Sequence, residues 1–95
     1  MVVKVLIRRN YHAEHVPFLK PRLQQLTQIV LEYGGFISGE TFVNCDKPDE
    51  HLIISQWVSL DNWQAYHKDE RVKQLCQEID FIIGQTTTHQ VYQKE

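Results

Sequence analysis

Near the start of the chain the β-branched residues Val3, Val5 and Ile7 alternate with Lys4, Leu6 and Arg8. A period of two in such residues predicts a half-buried strand. Residues 10–15 read as a loop, after which the spacing changes. Leu19, Leu23, Leu26, Ile29, Val30 and Tyr33 recur every three or four positions and line one face of a helix from about residue 15 to residue 33. Pro17 suits a first helical turn. Pro21 lacks a backbone donor and predicts a kink or a late start. Gly34-Gly35 accepts the left-handed backbone that ends a helix and releases the chain into a second strand, residues 36 to about 45.

Asp46-Lys47-Pro48-Asp49 has the composition of a reversing turn, so a hairpin joins that strand to a third at residues 51–58. There Leu52, Ile54 and Val58 face one way while Ile53 and Trp57 face the other, which makes both faces apolar. Residues 59–62 offer capping side chains before a second helical region, where Trp63, Tyr66 and His67 share one face. That pattern resumes at Val72, Leu75, Cys76 and Ile79 after a break near Asp69 and stops before Gly84. Residues 86–92 make the closing strand.

The order β-α-β-β-α-β is the ferredoxin-like arrangement of the α+β class, with an antiparallel sheet in one domain spanning residues 1–95. Both helices then cover one sheet face. The other face carries bulky apolar side chains, and face-to-face pairing with a second copy is the simplest way to cover it.

Composition changes this picture little. The chain is 42% hydrophobic and 23% charged, as an ordinary folded domain is. A net charge of -2 leaves no footprint for nucleic acid, and no run of apolar residues is long enough to span a membrane. Charge interrupts the first residues too early for a signal peptide, and Cys45 and Cys76 lack CxxC spacing, so reduced thiols in a cytoplasm are expected. Phosphate-binding glycine loops and Ser-His-Asp or Cys-His nucleophile signatures are absent.

Two stretches carry a resemblance: Gly35-Phe36-Ile37-Ser38-Gly39-Glu40-Thr41-Phe42, and Ile53-Ile54-Ser55-Gln56-Trp57-Val58-Ser59-Leu60-Asp61-Asn62-Trp63, with Glu70-Arg71 fitting the following helix. They resemble the core of the antibiotic biosynthesis monooxygenase family. The resemblance implies a dimeric α+β barrel with a cavity between sheet and helices. Some members use that cavity to oxygenate phenols, quinols or anthrones without metal or flavin, and related members degrade haem.

Cofactor-free oxygenation needs a dry aromatic pocket, a proton acceptor and polar contacts for the resulting anion. Trp63 and Tyr66 are the candidates to line that pocket, His67 to take the proton and Asn10 to hydrogen-bond a substrate oxygen. No cofactor and no metal is called for, and the substrate is a small aromatic of quinol, phenol or anthrone type. Haem degradation fits less well, because Cys76 stands where haem-degrading members carry a histidine.

Each candidate also has a structural reading. Trp57 and Trp63 can fill the core, His67 can sit on a solvated helix face, and Asn10 can end a strand. His12 and His15 read as an exposed pair without a metal, and Glu40 as a cross-strand ion pair with Arg8 or Arg9. A ligand-binding or structural homodimer without turnover is therefore the alternative function.

Overall fold

The alternating N-terminal residues form β1 (Val3–Asn10), which runs through the interior of a four-stranded sheet. It pairs antiparallel with β3 (Glu50–Trp57) on one side and β4 (Thr88–Gln93) on the other. β2 (Phe36–Val43) pairs with β3 at the edge, giving the order β2-β3-β1-β4. A computed structural model describes all of residues 1–95, and the fold is the expected ferredoxin-like α+β arrangement.

The hairpin turn is held by a residue outside the Asp-Lys-Pro-Asp run. Asn44 Oδ1 accepts the backbone N–H groups of Asp46 and Lys47 at 2.8 and 3.2 Å, and its Nδ2 donates to Glu50 at 2.7 Å. An asparagine that bonds the backbone ahead of it is a self-contained turn device.

After a single 3-10 turn at Ala13–His15, α1 (Val16–Val30) begins with Pro17 in its first turn and continues through Pro21. The predicted late start does not occur. Pro21 forfeits one backbone hydrogen bond, and the burial of Leu19, Leu26 and Ile29 on the same helix outweighs that loss. The second helical region is divided as its pattern indicates, into α2 (Leu60–His67) and α3 (Glu70–Ile83). Ser59 Oγ accepts the Asn62 N–H to cap α2, and Asp69 Oδ1 accepts the Arg71 N–H at 2.8 Å to cap α3. Gly84, at φ 70°, ends α3. None of these helices is long and apolar enough to cross a membrane.

The core is in two parts. α1 and α3 pack on each other through Leu19, Leu26, Ile29, Val72, Leu75, Ile79 and Ile83. A second cluster, Val3, Val5, Trp57 and Trp63, joins the sheet to α2. Tyr33 and Tyr66 pack against both.

Period-two geometry gives the sheet two unlike faces. Val3, Val5, Ile7 and Arg9 point to the helices, and Lys4, Leu6, Arg8 and Asn10 belong to the opposite face. The expected pairing of Glu40 with Arg8 or Arg9 is not formed, because β3 lies between β2 and β1 and Glu40 sits opposite Ile54.

Gly35 sets the junction of β2 and α2. Its φ is 92°, its carbonyl accepts the Val58 N–H at 2.7 Å, and a methyl group there would lie 2.5 Å from Asn62 Cγ. Gly35→Ala should therefore lower stability by about 2–4 kcal/mol. Gly34→Ala, whose methyl meets nothing within 4 Å, should cost under about 1 kcal/mol. Urea unfolding of the two variants tests this, and equal midpoints would contradict it.

Candidate functional site

Because α1 and α3 pack mainly on each other, they stand off the sheet and leave a cavity of about 450 Å³ between the two core clusters. Alternation on the strands sends Ile7 and Arg9 of β1, Ser55 and Trp57 of β3, and His89 of β4 into it. Helical spacing on α2 adds Trp63, Tyr66 and His67. Thr27, Gly39 and Thr41, the lining residues exposed to solvent, mark its mouth between α1 and the β2 edge. A wider groove of about 630 Å³ runs along α1, but its lining is half polar and Tyr11 is its sole aromatic residue.

The aromatic side chains form a connected wall. Trp63 stacks on His67 with ring centroids 4.6 Å apart and planes 15° from parallel, and His67 meets His89 at 4.9 Å. Tyr66 lies 5.4 Å from Trp57 and edge-on to Tyr33 at 5.9 Å. Trp57 Nε1 donates to Ser55 Oγ at 3.3 Å, so the buried indole keeps a polar partner.

Burial sets the protonation states. Desolvation, with a smaller contribution from Lys73, pushes His67 below its ordinary value of 6.5. Desolvation and then the charges of His67 and Arg9 depress His89 to about 4, outweighing an opposing effect of Asp80. Both imidazoles are thus free bases at neutral pH. Burial raises the Tyr66 hydroxyl and the Cys76 thiol, so both stay protonated there. A protonated Cys76 is a poor haem ligand, which needs the thiolate.

Three of the four predicted site residues, Trp63, Tyr66 and His67, come together on this wall. Asn10 does not join them. It ends β1 opposite Glu50 with the wrong parity for the helix-facing side, and it is not among the cavity residues. Its neighbour Arg9 takes the inward place. Trp57 is both core and cavity wall, at 1% exposure.

Sequence reasoning missed Arg9 and His89. Arg9 carried a signal, since it continues the series Val3, Val5, Ile7 on the buried face. His89 had none, because only the β1–β4 register, which sets it beside Ile7, brings it to the cavity. Outside the cavity His12 pairs with Asp49 at 2.8 Å and stacks on His15.

A family model described as antibiotic biosynthesis monooxygenase matches residues 2–78. No curated protein matches the sequence. Among solved structures the chain is similar to a conserved protein from Methanosarcina mazei Go1, at 14% identity and a TM-score of 0.85, covering 100% of this chain and 94% of that one. It is also similar to SnoaB, a cofactor-independent oxygenase from Streptomyces nogalater, at 13% identity and a TM-score of 0.80, covering 99% and 93%. A protein from Mycobacterium tuberculosis shares the fold at 12% identity and a TM-score of 0.80, covering 100% and 96%. At these identities the three describe the architecture.

The depressed His89 has a consequence for stability. Unfolding exposes an imidazole of ordinary affinity, so between pH 6.5 and about 4 the unfolded chain binds a proton that the folded chain refuses. Stability is full above that window and falls as pH drops through it. Of the loss between neutral pH and pH 5, roughly 2 kcal/mol should belong to His89. Thermal unfolding should therefore be less acid-sensitive in His89→Gln than in the wild type. Parallel losses in both proteins would show that His89 is not the responsible group.

Proposed function

The chain belongs to the antibiotic biosynthesis monooxygenase family, and from that premise we propose that it is a cofactor-independent monooxygenase acting on a small aromatic substrate of quinol, phenol or anthrone type. One observation carries the reading. Open volume of about 450 Å³ lies directly beside Trp63, walled by aromatic rings and reached by a neutral imidazole, where a merely structural dimer needs no space at all. The volume is within the usual range for small-molecule sites.

In this reading the substrate ring lies against Trp63 and Tyr66, and His67 removes a proton from it. For an anthrone-type methylene the carbanion gives one electron to dioxygen, and the substrate radical and superoxide combine to a peroxide. The imidazolium of His67 returns its proton to the peroxide. Loss of water with the second methylene hydrogen leaves a ketone, so one oxygen atom enters the product and the other leaves as water. The cavity excludes bulk water from the anion and fixes the ring beside the base.

The pairing of two copies belongs to the same proposal. Leu6, Leu52, Ile54, Phe42 and Tyr92 share the sheet face that the helices leave bare, with Phe42 and Tyr92 about half exposed at 45% and 52%. A second copy meeting this face covers it by the same residues on both sides. The two free thiols, Cys45 and Cys76, suit the reducing cytoplasm as the compartment.

Oxygen uptake by purified protein with such substrates should fall about a hundredfold or more in His67→Ala. The neutral imidazole is the active form, so kcat/KM should rise with pH and reach half its plateau below 6.5, the ordinary histidine value. Full activity in His67→Ala would remove it as the base. In sedimentation at micromolar concentration the wild type should run as a dimer and Ile54→Arg as a monomer. A monomeric wild type would end the pairing proposal.

A further inference from the structure

Arg9 has no part in the scheme above, yet it is the one charged side chain among the 19 residues that line the cavity. It is only 6% exposed. Burying a guanidinium is expensive, and proteins normally offset the cost with a carboxylate at contact distance. Arg9 has no such partner: none of the ion pairs in the molecule includes it. Its Nε donates to Thr87 Oγ1 at 3.2 Å, and Thr87 in turn donates its hydroxyl to Asp80, so the Asp80 carboxylate is held one residue away.

That anchor takes the Nε donor and fixes the orientation of the planar group, and the Cys76 thiol is a second, weak hydrogen-bond partner that leaves most of the five donors for a ligand. Its remaining surroundings are neutral. Tyr11, Tyr66, Cys76 and His89 all feel the positive charge, and none supplies a negative one. The cavity is therefore a desolvated pocket whose one cation has no carboxylate at contact distance and is flanked by aromatic rings.

We propose that Arg9 is the anion anchor of this cavity, and that the ligand is an aromatic molecule bearing an oxyanion that pairs with the free edge of the guanidinium. The inference rests on the cavity being the substrate site and narrows the substrate class to aromatic anions. The oxyanion comes either from a carboxylate substituent or from a ring hydroxyl that binds ionised. Both satisfy a bidentate, charge-assisted contact, and a neutral amide of the same shape does not.

Calorimetric titration of the full-length protein under argon, with 2-naphthoate, 2-naphthamide and 2-naphthol, tests this without requiring turnover. At neutral pH the wild type should bind the acid roughly tenfold or more tightly than the amide. Arg9→Gln should lose the preference and Arg9→Lys should keep part of it, while circular dichroism confirms that both variants fold. Naphthol affinity that climbs as the naphthol ionises assigns the oxyanion to a ring hydroxyl. A flat profile beside strong naphthoate binding assigns it to a carboxylate.

Equal binding of acid and amide to the wild type, failure of the acid to bind at millimolar concentration, or an acid preference that survives in Arg9→Gln overturns the proposal. The oxygenase reading fails separately. Naphthoate binding by a protein that consumes no oxygen with any phenol or quinol keeps the anchor and removes the oxygenase, and oxygen uptake without any acid preference does the reverse.

Discussion

Tyr66 and Tyr33 together join two halves of a core that would otherwise be separate. The Tyr66 ring packs on the sheet side against Trp57 at 5.4 Å and meets Tyr33 edge-on at 5.9 Å. A chain this short buries only about two-thirds of its unfolded surface, so each cluster is small and neither can spare a wall. The helices α1 and α3 meet each other rather than the sheet, and the aromatic bridge holds them at the stand-off distance. The cavity follows from that division. At the same end of the helix pair a polar set backs this bridge: the Asp69 carboxylate accepts the Tyr33 hydroxyl at 2.6 Å and pairs with Arg71, which also reaches Glu32. Those exposed pairs orient more than they stabilise.

Inside the gap, burial decides which groups carry charge. His67 and His89 are kept neutral and Tyr66 keeps its proton, which leaves Arg9 as the sole permanent charge of the lining. In the proposed reaction, proton transfer from a bound aromatic to His67 would leave the net charge of the cavity unchanged, and the anion so formed would lie in the field of Arg9. A low local dielectric strengthens that attraction. One arrangement of side chains thus links the fold's divided core to a neutral imidazole, an aromatic wall and a buried cation.

Much of this was legible from periodicity. The strand and helix patterns gave the element order, the break at Asp69 and the inward face of α2, because period and capping are local properties of sequence. Trp63, Tyr66 and His67 were set on one face by the same rule, since i, i+3 and i+4 positions share a helix face, and that face lines the cavity. The errors have equally physical causes. Pro21 pointed to a kink or a late start, and the late start is absent because tertiary burial of Leu19 and Leu26 outweighs one lost backbone bond. Asn10 was chosen for its chemistry at the strand end, when parity gives the inward place to Arg9. Pairing Glu40 with an arginine assumed neighbouring strands, and the strand order separates them. His89 enters the site through register alone, which no local pattern encodes.

Whether the space between the two clusters holds a ligand is read by a nitrogen–proton NMR titration of the two indole groups with an electron-rich two-ring aromatic under argon. Trp57 and Trp63 are the only tryptophans, and both line the cavity. Both indole signals should shift together and saturate with one dissociation constant, along with the ring signals of His67 and His89. Indole signals that stay fixed while residues of the bare sheet face, such as Ile54 and Leu6, respond would place the ligand outside the cavity.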